Sequence, residues 1–195
     1  MYYVLTHILN QDYWHICKIA MFVHWSITIG VLLSVCYSVF DSSIKVRGIL
    51  FLDISALNKS QKYDLCIKVL SALRGYLKGD EAACVDGALK ICQAWSKDHS
   101  LDIAVELYNY IDGEERGFTL YQEAEEDVKM IALWNCIIDS ADYICRGAFE
   151  SQGAKYFPEP IELVDEDIFI HLEESFLQFN GNRDELDKMI SDCIN

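Results

Sequence analysis

Apolar residues recur at spacings of three and four through most of this chain, a period that predicts helices from about residue 61 onward. Cys66, Val69, Leu70, Leu73 and Leu77 form the first stripe, and Gly79 is placed to stop it as a C′ residue. Asp80 stands where it can cap the next helix, whose stripe is Cys84, Ala88, Ile91 and Trp95. Ser100 is a candidate cap for a third, with Leu101, Ala104, Tyr108 and Ile111 on its apolar side and Gly113 at its end. Connections this short predict successive αα-hairpins.

The longest periodic stretch runs from about Thr119 to Ser151, with a break expected near Glu126. One face carries Ala124, Val128, Ile131, Asn135, Ile138, Asp142, Cys145 and Phe149. A second carries Met130, Trp134, Ile137, Ala141, Ile144 and Ala148. A helix apolar on two sides is packed on two sides, which makes this the central helix. Phe157-Pro158-Glu159-Pro160 predicts a rigid, non-helical crossing. Asp165 is a candidate cap for a helix burying Ile168, Phe169, Leu172, Phe176 and Leu177. Asn180-Gly181 reads as a turn, and Asn182 as the cap of a last helix to about Cys193. The expected fold is all-α: a compact domain of five to seven helices around a long central one.

The front of the chain follows a different pattern. Ile19 to Phe40 is a run of 22 residues without a formal charge, long enough to cross a bilayer. His24, Ser26, Thr28, Ser34 and Ser38 make it more polar than a typical span, and its β-branched residues also suit a strand. A buried core element is the favoured reading; a membrane anchor through 19–40 and an upstream extension are the alternatives. No basic start or clear cleavage site suggests a signal peptide. Residues 41–60 form a connector with one apolar run, Ile49-Leu50-Phe51-Leu52. The division expected is an apolar segment, 1–60, and a helical domain, 61–195.

Charge sharpens that division. Residues 1–60 hold 4 Lys/Arg against 3 Asp/Glu, whereas residues 61–195 hold 12 against 28. So acidic a body repels nucleic acid and attracts basic proteins over long range. With 52% hydrophobic residues and only 2 Pro and 10 Gly, the chain has the means to build a helical core. Eight cysteines without a CxxC, five of them on apolar stripes, suit a reduced cytoplasmic protein rather than a disulfide or zinc framework.

Catalytic chemistry finds little to work with. There is no GxSxG elbow, GxGxxG turn or phosphate loop. His7 and His15 beside Asp12 lack further ligands for a metal. Asp139 and Asp142, one helical turn apart, are the inward-facing carboxylates; with His171 they make the best case for a metal-dependent enzyme, yet no ExxH accompanies them. Asp142 is expected to pair with a buried donor: Asn135, Arg146 or a tyrosine hydroxyl. No catalytic residue, metal or cofactor is assigned. More telling are the acids around one turn, Asp112, Glu114 and Glu115, and those that follow, Glu123, Glu125, Glu126 and Asp127. Tyr108, Tyr110, Phe118 and Tyr121 lie among them, and aromatics beside carboxylates suit docking on a basic protein.

Several stretches resemble one family. They are Leu107-Tyr108-Asn109-Tyr110-Ile111-Asp112, the acidic turn Gly113–Glu115, Tyr121-Gln122-Glu123-Ala124-Glu125-Glu126-Asp127, Leu133-Trp134-Asn135-Cys136-Ile137-Ile138-Asp139, and Lys155-Tyr156-Phe157-Pro158-Glu159-Pro160-Ile161-Glu162. Over about 60–180 the chain is similar to the sixth numbered family of bacterial polymorphic-toxin immunity proteins. The resemblance implies a helical, non-enzymatic cytoplasmic antidote, encoded beside a secreted or contact-delivered toxin, that binds and blocks the toxin domain. It supplies no catalytic residues. The expected partner is a basic cognate toxin, such as a nuclease, and not nucleic acid. The partner-binding residues expected from the clustered charge are Tyr110, Asp112, Glu114, Glu115, Glu123, Glu125 and Glu126. A helical metal enzyme and a membrane-anchored interaction module are the competing functions.

Overall fold

The computed structural model describes residues 53–114 and 116–194, and over them it is all-α. The first 52 residues, and with them the 19–40 segment, the Ile49–Leu52 run and the His7/His15 pair, lie outside the described residues. A 3-10 turn at Ile54–Ala56 leads into α1 (Lys59–Leu73), which a second 3-10 turn, Arg74–Tyr76, extends. Then come α2 (Gly79–Lys97), α3 (Ala104–Asp112), α4 (Phe118–Glu123) and α5 (Val128–Ser151). The short α6 (Glu159–Glu162), α7 (Ile168–Asn180) and α8 (Arg183–Ile194) complete the described chain.

The two-sided helix is α5, and it is the axis of the fold. It packs against α1, α3, α4, α6 and α7, with the most extensive contact to α7. From Ala132 to Ala148 only Asn135, Ile138 and Arg146 are less than fully buried. Trp134, Ile137, Ala141, Ile144 and Ala148 are sealed from water, as the second apolar face predicts. The break expected near Glu126 is real and separates α4 from α5. Asp127 starts the new helix by accepting the Lys129 N–H at 2.8 Å. Asp127→Ala is therefore expected to cost about 1 kcal/mol of stability, measurable as a lower urea midpoint.

Aromatic rings tie four helices together. Trp95 of α2 meets Tyr63 of α1 edge-on at 4.9 Å between centroids. Tyr63 contacts Tyr143 of α5 at 5.3 Å, and Tyr143 meets Phe169 of α7 edge-on at 4.7 Å. Such pairs add about 0.5–1.5 kcal/mol each beyond the area they bury. Tyr143 also donates to Glu166 Oε1 at 3.0 Å, and Glu166 in turn pairs with the buried Lys62.

Some helix ends differ from expectation. Gly79 does not stop the first helix; with a φ of +59° it opens α2, and Asp80 makes no cap bond there. Ser100 does not cap α3, because its N–H and hydroxyl both turn back to Asp98, at 3.0 and 2.6 Å. Asp165 does not cap α7 directly; it accepts the Asp167 N–H at 2.9 Å in the preceding turn. The proline crossing is not wholly non-helical, since Pro158 precedes one turn of helix with Pro160 in its first turn, where no N–H is needed. That turn brings the number of α-helices among the described residues to eight, one more than expected. Asn182 does cap α8, accepting from Asp184 N–H at 3.0 Å.

Candidate functional site

The clustered acids map to one stretch of structure: the end of α3, the turn after it, α4, and the loop into α5. The turn is tight for a stated reason. A Cβ at Gly113 would sit 2.3 Å from the Asn109 carbonyl oxygen and 2.9 Å from that of Arg116, so the chain can close only on glycine there. Thr119 Oγ1 then donates to the Ile111 carbonyl at 3.0 Å and ties α4 back to α3. Tyr121 stacks on Trp134 of α5, 5.3 Å apart and 18° from parallel, which anchors α4 to the axis.

The expected contact residues take different places along this edge. Asp112 is exposed at the end of α3 and accepts from the Tyr108 hydroxyl at 3.0 Å. Burial, then this bond, raise the Tyr108 pKa. Glu114, Glu123 and Glu126 are exposed. Glu125 is half-buried, and its Oε1 accepts from the N–H groups of Glu126 and Asp127 at 2.9 and 3.0 Å, so it shapes the loop. Glu115 lies outside the described residues. Tyr110 is half-buried, its hydroxyl lying over Gly87 of α2.

Tyr110 also lines a cleft of about 390 Å³ between α2 and α3, together with Asp80, Cys84, Glu106, Asn109 and Arg116. Sequence reasoning did not connect these residues. Asp80 and Glu106 come from different helices, and only the pairing of those helices brings them together.

Five of the described cations are engaged elsewhere. Lys59 and Arg146 pair with Glu150, Lys62 with Glu166, Arg74 with Asp86, and Arg183 with Glu173 and Asp187. By contrast, none of Asp112, Glu114, Glu123 and Glu126 forms an ion pair among the described residues. Arg116 and Lys129 are the cations nearest in sequence to these acids, and neither is in an ion pair with them.

Asp139 and Asp142 are buried, as their positions on α5 predict. Asp139 Oδ2 lies 2.9 Å from His171 Nδ1 on α7. Burial pushes the Asp139 pKa up to about 6 against the pull of His171. The partner expected for Asp142 is not there. Asn135 is held by Gln122, Arg146 by Glu150 and the carbonyls of Ile161 and Glu162, and the tyrosine hydroxyls at 108 and 143 by Asp112 and Glu166. Asp142 Oδ1 is buried without a hydrogen-bond partner. Burial, then the charges of Asp139 and Asp112, push its pKa up to about 7. Among the described residues no three His, Cys, Asp or Glu side chains converge to hold a metal ion. No described helix is long and apolar enough to cross a membrane.

The class to which this helical chain is matched is that of the immunity proteins, which act against toxins. A family model described as immunity protein Imm6 matches residues 59–179, from the first residue of α1 almost to the end of α7 and well over half of the chain. The chain belongs to the Imm6 immunity protein family. No curated protein and no solved structure matches it.

Proposed function

We propose that this immunity protein binds a cognate bacterial toxin domain of nuclease type and neutralises it by laying its acidic edge over the toxin's cationic surface. One observation carries the reading: Asp112, Glu114, Glu123 and Glu126 stand exposed on adjoining elements, and none of them is held in an ion pair among the described residues. Five of the described cations, Lys59, Lys62, Arg74, Arg146 and Arg183, are paired with other carboxylates, which leaves these four acids available to a partner. An enzyme that binds nucleic acid must present Lys and Arg, so its substrate surface is the natural complement. Long-range attraction then speeds capture, and partly buried aromatics such as Tyr110 slow release. The action is by binding, without turnover, and the acidic body from residue 61 is the part that binds. The toxin's substrate is cytoplasmic in this reading, and so is its antidote.

The test is a triple reversal, Asp112→Lys, Glu123→Lys and Glu126→Lys, titrated against the toxin domain encoded beside this chain. Exposed residues are chosen, so the fold is left intact. Binding is expected to weaken about 100-fold, near 2.7 kcal/mol, and to lose much of its salt dependence. Equal affinity and an equal salt slope would remove this edge from the interface.

A further inference from the structure

The cleft between α2 and α3 gathers charges of both signs and holds them apart. Asp80 comes from the first turn of α2, Glu106 from the first turn of α3, and Arg116 from the turn before α4. All three are exposed, and among the described residues no ion pair joins Arg116 to either carboxylate. Opposite charges that line one opening yet stay beyond pairing distance leave room for a ligand between them. The room is about 390 Å³, the size of a small ligand pocket. Its less polar lining is Ala83, the half-buried Tyr110, and Cys84, which is only 8% exposed. Tyr110 can lie against α2 because residue 87 is glycine: a Cβ there would come 2.7 Å from its Cζ, and the ring would have to shift. The cleft also adjoins the acidic edge, since Tyr110 shares α3 with Asp112 and Arg116 shares the following turn with Glu114.

We propose that this cleft takes a basic side chain of the toxin together with the main-chain carbonyl beside it. The inference rests on the proposed function, and it names a pocket at one end of the acidic edge. The cationic head goes to Asp80 and Glu106, and the methylene stem lies on Tyr110 and Ala83. Arg116 donates to the carbonyl, with the Asn109 carboxamide on the same wall as a second donor. A bare cation would leave the guanidinium unanswered, and a bare anion would face two carboxylates. An occupant with a positive end and an acceptor a few bonds away uses every charge in the lining, and a lysine or arginine in an extended segment has both. Side chains that enter such a pocket, shielded from water, are the ones that dominate binding.

Arg116→Gln separates this pocket from simple charge attraction. A cationic toxin drawn only by the acidic field binds more tightly once a positive charge is removed. The pocket predicts the reverse: the full chain carrying Arg116→Gln should bind the toxin domain encoded beside it about tenfold more weakly, because a charge-assisted bond is lost. Ala83→Trp, which fills the cleft without changing its charge, should also weaken binding about tenfold and leave the salt slope as it was. Both positions are exposed, and a urea midpoint equal to the parent's shows that the fold is kept. Cys84 supplies a readout at the site itself. In the complex its alkylation by iodoacetamide should slow at least about tenfold, while the half-buried Cys193 of α8 keeps its rate. Equal or tighter binding by Arg116→Gln, or Cys84 labelled as fast in the complex as alone, would overturn the pocket. If the cleft variants weaken binding while the triple reversal leaves it unchanged, the acidic-edge reading fails and the pocket stands; the opposite pattern keeps the edge and removes the pocket.

Discussion

Replacing Trp134 with alanine is expected to destabilise the protein by about 4 kcal/mol, a large share of the 5–15 kcal/mol that holds a typical domain together. Trp134 is fully buried in the middle of α5. Its ring stacks on Tyr121 and lies 6.0 Å from Phe118, so one side chain holds both ends of α4 to the axis. Alanine would remove that surface and leave a cavity that two aromatic neighbours cannot close without moving α4. The indole N–H meets no acceptor, so it adds nothing that the ring does not. Trp134→Phe keeps most of the ring and discards an unmatched donor, and should cost under about 1.5 kcal/mol. Urea unfolding of the two variants checks both values. A loss below about 1 kcal/mol for the alanine variant would mean that α4 is not docked in this way.

Asp142→Asn is expected to act in the opposite direction, and only in part of the pH range. An aspartate has a pKa near 3.8 when solvated, and burial lifts this one to about 7. The folded state therefore holds its proton more tightly than the unfolded state does. Below pH 3.8 both states are protonated, and the group neither helps nor harms. As pH rises from there to 7 the unfolded chain gives up its proton first, so stability falls; above 7 the full penalty applies. Three pH units correspond to roughly 4 kcal/mol at most. Asparagine cannot ionise, so the variant should gain on the order of 2–4 kcal/mol over the parent at pH 8 and about nothing at pH 4. Unfolding midpoints of both proteins at the two pH values decide the matter. A constant difference between them would show that the carboxylate does not titrate across this range. Asp139, also lifted by burial but opposed by His171, contributes a smaller slope of the same sign in both proteins.

The helices were legible because their period is strong. Leu70, Leu73, Ala88, Trp95, Ile111, Ile137 and Ile144 all lie on expected apolar stripes, and all are buried. The two-sided pattern of α5 marked the axis, and the break expected near Glu126 falls just before its first residue, Val128. Helix ends were less legible, because a capping side chain has several backbone groups within reach. Ser100 and Asp98 satisfy each other, and that local choice left α3 to begin at Ala104 without a side-chain cap. Gly79 was read at the right kind of position, a left-handed one, but on the wrong side of the joint. The acidic edge could be found because its members are close in sequence. The α2–α3 cleft could not, and neither could the isolation of Asp142. Both depend on which donors and walls other helices bring, a matter of packing that no spacing along the chain encodes.

Cys66, Cys92, Cys136 and Cys145 are sealed in the core, and burial drives each thiol well above its ordinary pKa. A thiol that stays protonated and out of reach is inert to water-borne electrophiles and oxidants. These four sulfurs become reactive only in molecules whose helices have parted. The rate at which they are alkylated therefore counts openings of the bundle, and the antidote carries within itself a gauge of how often it comes undone.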